Sequence, residues 1–287
     1  MKIEIVNRKT FKIRKSGRST DFISPSFGYG CLYDCSYCYM KRHKDKGLSV
    51  ASNTNEILTH INNHAFFTSV DKPNQTHPQF TTYDISCNED FALHAKHHEW
   101  ERIFEFFRDH PIAMGSFATK YVNPDLTTFD PKSKMRIRFS LMPQKLSTKL
   151  EPGTSKIIDR IKAINKYYDA GYDVHVNYSP IIMYDDHTDD YNELFELIDK
   201  HVNNEIKPNV KAESIFLTHN EKMHKHNVDN NIKGEDYLWK PGIQESKMSQ
   251  YGGKNIRYKY KVKRKYINDF TNNHRNIIPW QTIRYIF

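Results

Sequence analysis

Three of the four cysteines, Cys31, Cys35 and Cys38, fall within eight residues, in Gly30-Cys31-Leu32-Tyr33-Asp34-Cys35-Ser36-Tyr37-Cys38-Tyr39. The fourth, Cys87, stands apart. A C-x3-C-x2-C spacing makes a short loop that can turn its thiols toward one centre, and any fold of this chain must present that loop. The N-terminal MKIEIVNRKTFKIRK has no apolar core of a signal peptide. No stretch approaches the ~18 apolar residues of a membrane span. Both point to a cytoplasmic chain with no membrane partner. Disulfides are improbable there, so clustered thiols mean metal or redox chemistry. A structural zinc site wants four closed ligands, and the fourth would come from Cys87 or His43. A [4Fe–4S] cluster on three thiolates instead leaves one iron open to a substrate or cofactor.

C-x3-C-x2-C with an aromatic before its last cysteine, here C-L-Y-D-C-S-Y-C, resembles the signature of radical S-adenosylmethionine enzymes. The resemblance implies that Cys31, Cys35 and Cys38 ligate a [4Fe–4S] cluster whose open iron binds S-adenosyl-L-methionine. Reductive cleavage of the sulfonium then yields a 5′-deoxyadenosyl radical, with a reductant such as flavodoxin or ferredoxin supplying the electron. The cofactor carries the difficult chemistry, and the protein orients it and excludes water.

The remainder of the chain reads as alternating strands and helices. Gln79–Ser86, Ala113–Thr119, Arg136–Leu141, Asp173–Pro180 and Ala212–Thr218 are apolar runs bounded by turn residues, and read as strands. His97–Arg108 places Trp100, Ile103, Phe104 and Phe107 on one helical face. Thr154–Tyr168 begins at a Thr/Ser cap and stops at Ala170-Gly171, and Asp189–His201 is acidic where a helix dipole prefers it. With a first strand before Cys31, the pattern predicts an α/β fold with about six parallel strands and crossover helices. For a radical SAM type of chain this is a partial (β/α)6 TIM-like barrel. The polar stretch from His219 to Gly253 reads as loop. The tail from Lys254 alternates apolar and basic residues and reads as a strand or hairpin with one basic side. Three segments are expected: a short basic N-terminal segment at 1–25, the barrel at 26–220, and a basic C-terminal hairpin extension at 221–287. In an open parallel barrel the reactive ends are the C-terminal ends of the strands, where Cys87, Lys120, Ser140 and Ser179 fall.

From Gly30 to Phe287 the chain is similar to the spore photoproduct lyase family, radical enzymes that revert a thymine photodimer in DNA. The elements arrive in order: the cysteine loop, a strand ending at Cys87, T-K-Y at Thr119–Tyr121, R-F-S at Arg138–Ser140 and E-P-G-T-S at Glu151–Ser155. A-G-Y at Ala170–Tyr172, P-I-I at Pro180–Ile182, Tyr191–Phe195 and a closing Pro279 and Tyr285 complete the series. The resemblance implies that Lys120 and Ser140 face the amino-acid end of S-adenosylmethionine, with Ser179 nearby. It implies that Cys87 returns a hydrogen atom to the repaired thymine and that Tyr37 and Tyr39 relay the radical. Tyr251, Lys254 and Arg257 would meet the DNA. The family's Arg-Tyr pair reads Gln250-Tyr251 here, and Glu89 stands two places after Cys87 where the family has serine.

Charge agrees with a polyanionic partner. The formal net charge is +9, and the excess sits at the ends. Residues 251–287 hold nine Lys or Arg against one acid, and residues 1–20 hold seven against one. Separated basic ends suit phosphate contacts, and Tyr251, Tyr258, Tyr260 and Trp280 offer stacking surfaces beside them. The leading expectation is therefore a radical SAM lyase, a carbon–carbon lyase repairing thymine photodimers. An enzyme of the same scaffold acting on RNA, a peptide or a small molecule, and a zinc-stabilised nucleic-acid-binding protein, are the alternatives.

Overall fold

The computed structural model describes residues 3–40, 47–248 and 253–287. The chain opens with short strands β1 (Ile3–Val6), β2 (Arg14–Lys15), β3 (Phe22–Ile23) and β4 (Gly28–Tyr29). Next come β5 (Leu48–Ala51), α1 (Thr54–Phe67), β6 (Thr81–Asp84), α2 (Phe91–His94), α3 (Trp100–Asp109), β7 (Ala113–Thr119) and β8 (Met135–Ser140). Helices α4 (Gln144–Leu150) and α5 (Ile157–Asp169) lead to β9 (Asp173–Ile181), α6 (His187–His201) and β10 (Lys211–Phe216). The rest is β11 (Thr218–His219), α7 (Glu221–Asp229), α8 (Glu235–Leu238), β12 (Gln244–Met248), β13 (Lys254–Tyr258), α9 (Tyr260–Ile277) and β14 (Ile283–Ile286). Two compact units result: Met1–Leu32 with His43–Phe139 and Ala163–His175, and Tyr33–Arg42 with Ser140–Lys162 and Val176–Phe287.

In the first unit the strands lie in the order β2-β3-β6-β7-β8. β3, β6, β7 and β8 run parallel, with Thr82 opposite Met114 and Phe117 opposite Ile137. β7 and β8 are buried along nearly their whole length, as parallel strands covered on both faces must be. Helix α3 buries the predicted Trp100, Ile103, Phe104 and Phe107, and Phe104 stacks on Phe91 and Phe117 at 5.7 and 5.9 Å.

In the second unit β10 pairs with β14 in parallel, and β11, β13 and β12 form an antiparallel sheet. Helix α9 seats Phe270 among Tyr178, Tyr191 and Phe195, at ring distances of 5.3–5.7 Å. Two expectations are corrected here. The stretch 219–253 is not loop: it carries α7, α8 and β12. Asn220 caps α7 by accepting from the Met223 N–H at 2.9 Å, but only Met223 and Asn227 are buried along it, too sparse a stripe for periodicity to reveal. The tail does make a hairpin, with Gln244 opposite Tyr258, yet it turns into the helix α9 after that residue. The apolar–basic alternation runs on into the first turn of α9, and only further along do Phe270, His274 and Ile278, spaced by four, supply a helical buried face. Among the described residues no helix is long and apolar enough to cross a membrane.

Candidate active site

The cysteine loop begins at a residue that must be glycine. Gly30 has φ +109°, and a Cβ there would lie 2.3 Å from the Gly47 carbonyl oxygen. Its N–H donates to the Asn88 carbonyl at 3.0 Å, and the Leu32 N–H donates to His94 Nε2 at 3.3 Å. Cys31, between them, is half-buried. Two residues earlier, the Glu89 carboxylate fills the space a Cβ on Gly28 would occupy, 2.3 Å away. That carboxylate is wholly buried, with His98 Nε2 at 2.9 Å and His94 Nδ1 at 3.1 Å. Since His94 Nε2 accepts from Leu32, the network assigns its proton to Nδ1. Burial pushes the Glu89 carboxyl up, but His98 and His94 outweigh it and hold the group down at about 2.

Cys87 is exposed just past the end of β6. The loop carrying it is fixed by Asp90, which caps α2 through the Leu93 N–H at 3.2 Å. Asp90 also accepts from Thr119 Oγ1 at 2.6 Å and from the Lys120 N–H at 2.8 Å. One carboxylate thus joins the Cys87 loop to the end of β7, where Lys120 stands half-buried. Arg138 on β8 reaches Asp84 at the end of β6, 2.7 Å away, and keeps these strand ends in register.

In the second unit Cys35 is buried and Cys38 half-buried, with the Cys38 N–H on the Cys35 carbonyl at 3.0 Å. The Ser36 N–H donates to the Leu150 carbonyl at 2.8 Å. The Tyr37 hydroxyl donates to Glu151, which also accepts from Ser147 Oγ at 3.0 Å and pairs with Arg160 at 2.9 Å. Burial, and then the Glu151 charge, raise the Tyr37 phenol well above its ordinary value. Arg160 donates further to the carbonyls of Ser140 at 2.8 Å and Ser155 at 2.9 Å and to Thr154 Oγ1 at 2.6 Å. Thr154 therefore does not cap α5, which starts at Ile157. Ser140 is buried, Ser179 on β9 is half-buried, and Tyr39 is 44% exposed.

The model of the spore photoproduct lyase family matches residues 2–287. The chain belongs to the spore photoproduct lyase family. Spore photoproduct lyase of Bacillus subtilis (strain 168) is 28% identical over 211 residues, 72% of this chain and 59% of that protein. The one from Geobacillus sp. (strain Y412MC61) is 27% identical over 192 residues, 66% of this chain and 54% of that protein. The chain thus matches little more than half the length of these curated relatives. A solved spore photoproduct lyase complexed with dinucleoside spore photoproduct superposes with a TM-score of 0.85 at 20% identity, covering 99% of this chain and 82% of the other. A mutant lyase with bound AdoMet and dinucleoside spore photoproduct gives 0.87 at 19%, with the same coverage. This likeness shows the fold, the mixed α/β half-barrel that the strand and helix pattern predicts.

Against that family background the departure at Glu89 has a structural explanation. Its carboxylate is turned inward onto Gly28, His94 and His98 rather than outward beside Cys87. Of the expected nucleic-acid contacts, Lys254 is exposed on β13, and Arg257 lies over the Phe287 ring at 5.6 Å. Tyr251, like Gln250 and His43, lies outside the described residues. Tyr258 is buried, with its hydroxyl accepting from the Met183 N–H at 3.0 Å, and Trp280 donates to Asp199 at 2.7 Å. Tyr258 is a packing residue, Trp280 is half-buried, and Tyr260, 71% exposed, offers a stacking surface. Sequence reasoning missed the Glu151–Arg160 pair and the Asp90 tie. The E-P-G-T-S motif and the acid beside Glu89 were their only visible signals.

Proposed function

We propose that the chain is a radical S-adenosylmethionine lyase that reverts thymine photodimers in DNA. The observation that carries this reading is an exposed thiol, Cys87, at the end of a parallel strand, in a chain that matches the family from residue 2 to its end and carries its C-x3-C-x2-C loop. The donor set suits a [4Fe–4S] cluster: Cys31, Cys35 and Cys38 are buried or half-buried, and none forms a disulfide. Such a cluster with S-adenosylmethionine bound supplies a carbon-centred radical.

The chain's own residues then position and quench. Lys120, with its backbone fixed by Asp90, offers an ammonium to the cofactor carboxylate, a charge-assisted contact. Ser140, at the end of β8, and Ser179, on β9, are the further cofactor contacts of this reading. Cys87 gives its hydrogen atom to the repaired thymine: the S–H bond breaks, a C–H bond forms, and the thiyl regains a hydrogen atom through Tyr37 and Tyr39, whose own O–H bonds are restored by a hydrogen atom from 5′-deoxyadenosine. The basic C-terminal stretch, with Tyr251, Lys254 and Arg257, holds the DNA, and a flavodoxin or ferredoxin delivers electrons.

The test is anaerobic protein with its cluster restored, given dithionite, S-adenosylmethionine and UV-irradiated DNA. Photoproduct is expected to return to thymine. Cys87→Ala is expected to divert it to a radical adduct. Cleavage of S-adenosylmethionine with irradiated DNA left untouched would remove the lyase reading in favour of an RNA, peptide or small-molecule substrate on the same scaffold.

A further inference from the structure

A second cluster of ligand-type side chains lies in the second unit and includes no cysteine. β11 ends at His219, α7 presents His224, and α8 begins with Glu235. One ring nitrogen from each histidine and a Glu235 oxygen all fall within 4.8 Å of one another. His219 Nε2 is 2.9 Å and His224 Nδ1 2.6 Å from the same oxygen, Oε1.

Local structure builds this convergence deliberately. Asn220 caps α7 and so fixes where His224 falls. Gly234, at φ +85°, turns the chain so that Glu235 comes back toward the histidines, and a Cβ there would strike Leu150 at 2.2 Å. The Trp239 ring stacks on His224 at 4.0 Å and 9°, which locks that imidazole. Glu235 Oε2 accepts from Asn227 Nδ2 at 2.6 Å, which locks the carboxylate. His219 Nδ1 is buried without a hydrogen-bond partner, so the ring's one polar attachment is on the Nε2 side. A ligating histidine, a second histidine and an oriented carboxylate are the usual composition of a zinc(II) site. Hard cations prefer oxygen alone, and copper(I) or iron–sulfur centres prefer thiolate.

We propose that His219, His224 and Glu235 bind one zinc(II)-class divalent ion, and that this ion braces the cysteine loop through Asn227. Metal bonds of about 2.0–2.1 Å place tetrahedral ligand atoms about 3.3 Å apart, so the two nitrogen–oxygen pairs, at 2.9 and 2.6 Å, need to open by only about half an ångström, with the two ring nitrogens already within 4.8 Å of each other. His224, 30% exposed, leaves an open edge for a water as fourth ligand, while His219 is 1% and Glu235 13% exposed. The link to the loop is short. Asn227 Nδ2, which holds Glu235, also donates to the Ser36 carbonyl at 2.9 Å. Ser36 Oγ in turn donates to the carbonyl of Lys233, two residues before Glu235, at 2.9 Å. Ser36 lies between Cys35 and Cys38.

The experiment takes the full chain, anaerobic and with its iron restored, adds excess zinc chloride and desalts. Metal analysis is expected to give one zinc per chain beyond the iron. The zinc X-ray absorption spectrum of this wild-type protein is expected to show nitrogen and oxygen neighbours at about 2.0–2.1 Å and no sulfur shell near 2.3 Å. Zinc is expected to raise Tm by about 5 °C at a hundredfold excess over Kd. Glu235→Gln and the surface-lying His224→Ala are expected to lose both the bound zinc and the Tm rise. A wild type that keeps no zinc, a sulfur shell, or zinc retained by both variants overturns the proposal. The absorption spectrum decides it even if a variant fails to fold.

Discussion

On the Gly28–Leu32 side of the cysteine loop, a buried carboxylate, Glu89, is held by two histidines; on the Ser36–Tyr37 side, another, Glu151, is held by Arg160. Both stand behind loop backbone and both are inaccessible to water. They differ in the partner that holds them. A guanidinium offers Glu151 a rigid fork of donors on one side chain, whereas Glu89 is held by single ring nitrogens from two separate imidazoles. The first side is also held by what is missing, since Gly28 and Gly30 make room for Glu89 and for the Gly47 carbonyl. The second is held by what is present, a guanidinium that binds Glu151, Ser140, Ser155 and Thr154 together. One shoulder therefore breaks by adding atoms or protons, the other by removing a cation.

The largest expected effect is on the arginine side. Arg160→Leu leaves Glu151 buried without its cation, which costs about 3–5 kcal/mol and lowers Tm by roughly 6–15 °C. Adding Glu151→Gln to it is expected to recover part of the loss, since the two groups are directly coupled. If the double variant is as unstable as the two single losses added, the pair is not the unit described here. Thermal and chemical denaturation of the wild type, the two single variants and the double variant measure this.

The histidine side is predicted to fail in acid. The Glu89 carboxyl sits at about 2 in the folded chain against an ordinary value of 4.5. A depressed carboxylate contributes stability that is complete above its unfolded value and is lost as pH falls through the folded one. Between pH 4.5 and 2 the wild type should therefore lose on the order of 3 kcal/mol from this group, and Glu89→Gln should lose none of that share. Denaturation midpoints across that range, wild type against variant, give the difference directly. Equal slopes would mean that Glu89 is not charged in the folded state.

Gly30→Ala tests the same shoulder by geometry. A side chain at φ +109° against the Gly47 oxygen is expected to cost about 1–3 kcal/mol. Because Cys31 follows at once, iron content after reconstitution is expected to fall with it, whereas a surface alanine substitution would leave iron unchanged.

The parts that the sequence revealed and the parts it hid divide along physical lines. β7 and β8 are legible because short runs rich in apolar residues are bounded by turn signals, Asn123-Pro124 after the one and Pro131 and Pro143 around the other, and α3 because four large side chains repeat on one face. The cysteine loop is legible because its three thiols lie within eight residues. Arg160 with Glu151, Glu89 with His94 and His98, and Glu235 with His219 and His224 are not local in the same sense. Each is a polar residue whose role appears only when a second element brings its partner. Helix α9 was hidden for another reason: its first turn continues the alternation of the strand before it, and the helical stripe begins only at Phe270.

Tyr37→Phe separates the two roles that converge on one hydroxyl. Structurally, the phenol is one donor to Glu151 among others, and Ser147 and Arg160 remain when it is removed. The stability loss should be small, about 1–2 kcal/mol, and the iron content should not change. As a radical relay under the proposed function, the hydroxyl is required at every turnover, because its hydrogen atom, proton and electron together, must leave and be replaced. The expected result is a repair rate at least tenfold lower in a protein that melts within a few degrees of wild type. Unchanged repair with that small loss of stability would assign Tyr37 to packing alone and leave Tyr39, on the exposed face of the loop, as the remaining candidate for the relay.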